Sequence, residues 1–212
     1  MLFVYMRCRF SLSYRDLEEM MMIRGATIDH STLQRWVERF VRLIDERVRK
    51  RKRPVNSSWR MDETYIRLNG KWVYLYRAVD KYGDTIDFLL RAKRDGAAAK
   101  AFFRKAFKEN GIPEKVTVDK SGYNKCALDF FNEGHEKDER FEIRQVKYLN
   151  NIAEQDHRFI KKRTKPMLGF KNFQSAKETI SGIENIRIIQ KGQINGQKPN
   201  QCVFNNFAEL MA

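Results

Sequence analysis

The chain is short of sulfur chemistry, of histidine, of long apolar runs and of negative charge. Its three cysteines, Cys8, Cys126 and Cys202, are odd in number and widely spaced. With His30, His135 and His157 they form neither a CxxC pair nor a zinc-ligand pattern. A disulfide framework and a structural zinc site are therefore excluded as organising devices, and free thiols fit a reducing cytoplasm. The opening MLFVYMRCRF holds a brief apolar run broken by arginines. It is too short for a secretory signal core or a membrane span, so no membrane partner is expected. Internal repeats and long low-complexity tracts are also missing.

Acids are outnumbered: 27 Asp and Glu stand against 42 Lys and Arg, a formal net charge of +15. An excess of that size, with a pI near 9.8, argues for a polyanionic partner. The excess is spread along the chain. Residues 1–54 hold 13 basic residues against 7 acids, so both this part and the remainder are expected to face the polyanion. A length of 212 residues with 42% hydrophobic content suits one medium domain plus a small one.

The first 54 residues read as a small helical domain and a basic linker. Ser13 opens a capping-box-like start, and a helix follows to about residue 23. Gly25 marks a turn. Ser31-Thr32-Leu33-Gln34 supplies a second capping box, after which Leu33, Trp36, Val37, Phe40 and Ile44 fall at helical spacing. Helix, short turn and capped helix are the elements of a helix-turn-helix. In that geometry the second helix enters the major groove, and Thr32, Gln34, Arg35 and Arg39 are the residues placed to meet DNA. An ordinary helical hairpin with solvated arginines is the bland alternative. Five adjacent cations at residues 49–53, followed by Pro54 and Asn56-Ser57-Ser58, read as a linker or a solvated helix end, and as phosphate contacts.

Residues 55–191 read as an α/β domain. Strands are expected at 59–68, 71–80 and 85–90, the first two joined by Asn69-Gly70, a strong hairpin signal. Asp95 caps a helix from Gly96 to about residue 110, stopped by Gly111. Strands at 115–119 and 141–146 and helices near 154–164 and 175–190 complete the pattern. Three antiparallel strands, a crossover helix, then further strands and helices describe the ribonuclease-H-like fold, with a mixed five-stranded sheet. Residues 192–212 read as a C-terminal tail.

Three carboxylates carry the chemistry. Asp62 lies in the strand-like run WRMDETYIRL. Asp119 closes KVTVD, and Glu154 opens the basic helical run EQDHRFIKKR, 35 positions later. Two acids on neighbouring strand ends and a third on a packed helix can converge on one point. Each acid alone reads most simply as a surface carboxylate in a salt bridge. Asp62 weakens that reading, because it lies among Trp59, Met61, Tyr65 and Ile66, and a buried carboxylate without a cation is costly. Converged carboxylates need cations, and hard oxygen ligands favour Mg²⁺ or Mn²⁺, two ions in a phosphoryl-transfer site. Glu63 is expected on the opposite face of its strand from Asp62. Asp156, about 200° round the helix from Glu154, is expected to face away from it. Arg158 and Lys161 follow Glu154 by four and seven positions on its own face, placed to hold phosphates. His157 is one position off that stripe and reads equally as a DNA contact or a structural polar group. No Ser/His or Cys/His arrangement for a protein nucleophile is present.

At these residues the chain resembles the short DDE transposases of bacterial insertion sequences, family six, within the retroviral-integrase-like group. The segments that carry the resemblance are LSYRDLEEMM, DHSTLQRWVERF, WRMDETYIRLNGKWVYLYRAVD, VTVDKSG and YLNNIAEQDHRFIKKR. They run from about residue 12 to about residue 192. The resemblance implies Asp62, Asp119 and Glu154 as catalytic and metal-holding residues, with Lys161 as the basic residue seven positions after the last acid. It implies double-stranded DNA as partner, both terminal inverted repeats and target. It also implies a homodimer or larger synaptic assembly, and a cytoplasmic, nucleoid-associated bacterial location. The family has a longer helix before LSYRDLEEMM, so the first helix here is expected to be shortened. Two further readings compete: a catalytically inactive DNA-binding remnant that occupies element ends, and a nuclease of RNA–DNA hybrids, which the helix-turn-helix disfavours.

Overall fold

A computed structural model of the chain describes residues 1–134, 136–146, 151–167 and 169–212, with residues 137 and 151–154 described by backbone alone. The chain divides into two compact units. One comprises Pro54–Phe159, and the other joins Met1–Arg53 to Ile160–Ala212.

The Pro54–Phe159 unit is built on a five-stranded sheet of order β3-β2-β1-β4-β5. Strand β1 (Ser58–Leu68) and β2 (Lys71–Asp80) form the expected hairpin. Asn69 and Gly70 both have positive φ, 44° and 78°, as a tight turn matching the strand twist requires. Strand β3 (Thr85–Arg91) lies antiparallel to β2, with a register shift at Ala78/Val79. Strands β4 (Lys115–Val118) and β5 (Glu142–Gln145) run parallel to β1, in the registers Trp59↔Val116 and Val116↔Ile143. This mixed order, three antiparallel strands followed by two parallel ones, is the ribonuclease-H-like arrangement.

Helix α4 (Gly96–Asn110) starts at Asp95, whose side chain accepts from the Ala98 N–H, and stops at Gly111. Its Ala98, Ala99, Phe102, Phe103 and Ala106 seal one sheet face against Trp59, Met61, Tyr76 and Ala78. Helix α5 (Gly122–Glu133) adds Ala127 and Leu128 to the same core. Helix α6 (Asn151–Thr164) carries the run that contains Glu154.

The second unit is all helical among its described residues. It contains α1 (Leu2–Arg9), α2 (Tyr14–Ile23), α3 (His30–Arg51), α7 (Phe173–Gln190) and α8 (Val203–Met211). The Ser13 capping box forms as expected, Ser13 and Asp16 exchanging backbone-to-side-chain bonds of 3.0 and 2.6 Å. The start of α3 differs from expectation. Asp29, not a Ser31 box, is the cap, accepting from the Ser31 and Thr32 N–H groups at 2.8 and 3.1 Å. A carboxylate holds two orphan donors where a hydroxyl holds one, and its charge suits the helix N-terminus. The buried stripe of α3 also shifts, to Leu33, Val37, Val41, Ile44 and Val48, leaving Trp36 at its edge, 37% exposed with its ring against Phe3.

Two boundary expectations change. Residues 51–53 are not a free linker: Arg53 N–H donates to Gln193 O and Asn195 N–H to Arg51 O, both at 2.8 Å. The stretch after residue 159 joins the N-terminal helices rather than the sheet, and residues 192–212 contain α8 rather than a tail. The cause is α7. It is buried nearly all round and packs on α1, α3 and α8, as a helix without a polar face must. It passes so close to its neighbours that a Cβ at Gly182 would run into Cys8 Sγ and lie 3.0 Å from Val41 Cγ2.

Candidate active site

Strand β1 changes its buried side across two adjacent acids. Trp59 and Met61 are buried on the α4 face, while Thr64 and Ile66 are buried on the other. Asp62 and Glu63 occupy the switch. The parallel register Arg60↔Thr117, continued by two residues, brings Asp62 level with Asp119 just past the end of β4. One carboxylate oxygen from each of Asp62, Glu63 and Asp119 lies within 4.8 Å of the others.

Asp62 and Asp119 therefore meet as expected. Glu63 was expected to be excluded, and it is not. Alternation does turn it to the α4 side, but its longer side chain still brings an oxygen into the cluster. There it is bound closely. Asn124 Nδ2, from α5, donates to Glu63 Oε1 at 3.0 Å and to Asp119 Oδ1 at 3.1 Å. Arg94 Nη2 bridges Asp119 Oδ2 at 3.1 Å and Glu63 Oε2 at 3.4 Å. The Ser121 N–H donates to Asp119 Oδ1 at 3.0 Å. Both oxygens of Asp119 are thus aimed by fixed donors. Glu63 is only 4% exposed. Burial raises its pKa above the ordinary carboxylate value, and Asp119 pushes the same way, while Arg94 and the Asn124 bond oppose them.

On the other face, α6 is docked at the level of Asp62. Arg77, the cross-strand partner of Asp62, pairs with Asp156 of α6 at 2.8 Å, both side chains buried. His157 is buried beside them, its Nδ1 3.7 Å from Asp62 Oδ2. His157 thus takes the structural of its two readings in contact with an acid of the cluster. The side chain of Glu154, one helical turn before Arg158, lies outside the described residues. Arg158 and Lys161 are exposed.

The expected DNA-reading residues sit at the start of α3. Gln34, Arg35 and Arg39 are exposed. Thr32 donates its hydroxyl to Asp29 Oδ2 at 2.7 Å and accepts from Arg35 Nη2 at 3.0 Å, so part of its capacity is used by the cap. Gln34 Nε2 donates to Glu38 at 3.1 Å.

Sequence reasoning missed Glu63, Arg94, Asn124 and Arg77. The tandem Asp-Glu was the available signal for the first. The others come from a loop, a helix and a neighbouring strand that no spacing rule connects.

A ribonuclease-H-like sheet with a carboxylate cluster at the junction of β1 and β4 suits divalent-cation chemistry on a phosphodiester, the class of polynucleotidyl transferases and nucleases. The comparisons narrow the class. A family model described as the DDE domain matches residues 56–193. The transposase for insertion sequence-like element IS431mec of Staphylococcus aureus (strain N315) is 39% identical over 188 residues, 86% of this chain and 80% of that one. The transposase for insertion sequence element IS257 in transposon Tn4003 of Staphylococcus aureus matches to the same extent, 39% over 188 residues. The chain belongs to this family, the DDE transposases of insertion-sequence family six. Among solved structures, the HTLV-2 integrase catalytic core domain in complex with magnesium (dimeric form) shares 14% identity at a TM-score of 0.43, covering 76% of this chain and 86% of that one. The catalytic core domain of BIV integrase shares 11% at 0.46, covering 73% and 95%.

The protein is accordingly a DNA-transposing enzyme. Its clustered hard-oxygen donors fit a divalent cation: three carboxylates share one locus, and Arg94 bridges two of them. No helix among the described residues is long and apolar enough to cross a membrane.

Proposed function

We propose that this transposase binds the terminal inverted repeats of an insertion sequence and catalyses DNA cleavage and strand transfer there. The clustering of Asp62 and Asp119 within 4.8 Å, in a chain of the DDE family, is the observation that carries the reading. Asp62, Asp119 and Glu154 hold two Mg²⁺ or Mn²⁺ ions. When bound, such ions polarise the phosphodiester and lower the pKa of the attacking water. The docking of α6 by Asp156 and His157 at the level of Asp62 supports Glu154 as the third ligand.

The chain's own residues set the geometry. Arg94, Asn124 and the Ser121 N–H orient Asp119, so its oxygens need no reorganisation when substrate arrives. Arg158 and Lys161 hold phosphates of the terminal nucleotides. Hydrolysis of the phosphodiester at the element's end leaves a 3′-hydroxyl. That hydroxyl attacks a target phosphorus in line and displaces the target strand's 3′-oxygen. Thr32, Gln34, Arg35 and Arg39 of α3 read the repeat. The active form is a homodimer or larger synaptic assembly, working in the cytoplasm on nucleoid DNA. A catalytically inactive remnant is disfavoured by the acid cluster.

The test is strand transfer from a terminal-repeat duplex with Mg²⁺. Asp62→Asn, Asp119→Asn and Glu154→Gln are expected to abolish product while leaving repeat binding within a few-fold. Glu63→Gln is expected to retain part of the activity, as a residue that aims Asp119. Near-native activity of Glu154→Gln would remove Glu154 from the ligand set.

A further inference from the structure

Helix α4 covers the sheet only part of the way along β1 and β2. Odd residues of β1 and even residues of β2 share its face, in the pairs Met61↔Ala78, Glu63↔Tyr76, Tyr65↔Tyr74 and Arg67↔Trp72. The first two pairs lie under α4 or beside it: Tyr76 stacks on Phe102 with ring centroids 6.0 Å apart. The last two pairs extend beyond the helix. Tyr65 is 49% exposed and Trp72 53%. Their rings touch in a continuous patch: Tyr65 lies 5.4 Å from Tyr74 and 6.1 Å from Trp72. Arg67 Cζ stands 4.9 Å over the Trp72 ring. Arg91, the β3 neighbour of Tyr74, is exposed at the patch's edge.

Cross-strand aromatic pairs do stabilise a hairpin, yet these pairs meet edge-on or tilted and leave Tyr65 and Trp72 about half exposed. Arg67 covers one face of Trp72, in a chain with an excess of cations. From Thr64 to Leu75 there is no acid, while Arg67 and Lys71 are both present. The patch also adjoins the acid cluster. Tyr65 follows Glu63 on the same face by two residues, about 7 Å at ~3.3 Å per residue. That is the span of about two base steps at ~3.4 Å each.

We propose that Tyr65 and Trp72, flanked by Arg67 and Arg91, form a stacking platform for an unpaired nucleobase of the DNA strand whose phosphodiester lies at the acid cluster. Any base has a π-face to offer, so the platform is sequence-tolerant, and the arginines hold the adjoining phosphates. Its task is to keep the terminal nucleotides splayed from the duplex, so that the scissile bond reaches the carboxylates. A second copy of this chain is a poorer occupant. A two-fold contact through this patch would set its cationic rim, Arg67 and Arg91, against the same rim of the other copy. The proposal rests on the transposase reading above.

The experiment places 2-aminopurine singly at each of the last four nucleotides of a terminal-repeat duplex, unpaired or paired, and reads its fluorescence on titration with the full chain without divalent metal. One unpaired position is expected to be quenched by wild type. Trp72→Ala and Tyr65→Ala are expected to lose that quenching and to weaken binding of the unpaired-end DNA by about 5–150-fold. Binding of the fully paired duplex should stay within about twofold. Trp72→Phe should retain quenching and Trp72→Leu should not, since leucine replaces the apolar area but not the π-face. A second measurement needs no substitution: 5-iodouracil at the quenched position should cross-link wild type to the peptide containing Tyr65 or Trp72. Cross-linking elsewhere, or equal behaviour of Trp72→Phe and Trp72→Leu, would overturn the platform. So would Trp72→Ala dissociating a dimer in sedimentation while leaving quenching intact, which assigns the patch to a second copy. Wild-type strand transfer on the same DNA with Mg²⁺ separates the two levels. If wild type transfers strands without quenching, this inference fails alone; if it neither binds nor transfers, the transposase reading fails.

Discussion

Asp156→Ala removes one of the contacts that dock α6. The substitution leaves the Arg77 guanidinium, 1% exposed and 2.8 Å from the lost carboxylate, inside the protein without that counter-charge. Removing one partner of a buried pair costs about 3–5 kcal/mol. For a unit of this size 1 kcal/mol moves the melting temperature by about 4 °C, so the Pro54–Phe159 unit should melt roughly 12–20 °C lower. The double variant Arg77→Met/Asp156→Leu removes both charges and fills the space with apolar atoms. It should recover most of the loss, because well-packed apolar replacements of buried pairs are often neutral or better. Calorimetry of the two single variants and the double gives the coupling directly. Strand transfer at a temperature below every melt then separates stability from geometry. The single variant should be slowed about 10–100-fold, since α6 carries Glu154 and a misplacement of about 1 Å is worth that much. The reasoning is refuted if Asp156→Ala melts within about 2 °C of wild type, or if the double variant melts as low as the single.

Three further outcomes are expected. Hydrogen bonds from Ser31 and then Thr32 hold the Asp29 carboxyl well below its ordinary pKa. A depressed folded-state pKa stabilises above the unfolded value and is lost as pH falls through the folded one, so wild-type and Asp29→Ala melting curves should differ at pH 7, start to approach one another below about pH 4 and meet only at the acid extreme. Gly182→Ala should destabilise the helical unit by about 1–3 kcal/mol despite alanine's better helix propensity. Cys8→Ala added to it should restore much of the loss by removing the sulfur that the new methyl meets. In the native protein, thiol reagents should label the exposed Cys126 and Cys202 but not Cys8, which is buried with its pKa pushed up to about 12. The third thiol should appear only on unfolding.

Local chemistry made the central features readable from sequence. The β1–β2 hairpin is legible because Asn69-Gly70 takes positive φ cheaply, and α4 because Asp95 and Gly111 bracket it. Asp62 and Asp119 are legible because a strand's end and a strand's apolar middle are odd places for an acid. Other features depend on long-range packing. Glu63 obeys the alternation that seemed to exclude it, yet its extra methylene and the switch in burial along β1 bring its carboxylate round. Arg77 reads as one more cation until Asp156, 79 positions away, is placed beside it. Helix α7 looks in sequence like a continuation of the sheet domain, because nothing local says that α1, α3 and α8 will enclose it. The tail reading failed for the same reason: α8 is short, and its Phe207 and Leu210 matter only once that partner exists.

The helical unit is discontinuous in the chain, and this bears on its birth at the ribosome. Residues 54–159 are contiguous and emerge as a foldable whole while synthesis continues. Residues 1–53 emerge first yet must wait. Their apolar stripe of Leu33, Val37, Val41, Ile44 and Val48 is only partly covered, by α1 and α2, until α7 and α8 are translated. A nascent chain halted before residue 173 would thus carry a finished sheet with its acid cluster and an unfinished helical unit.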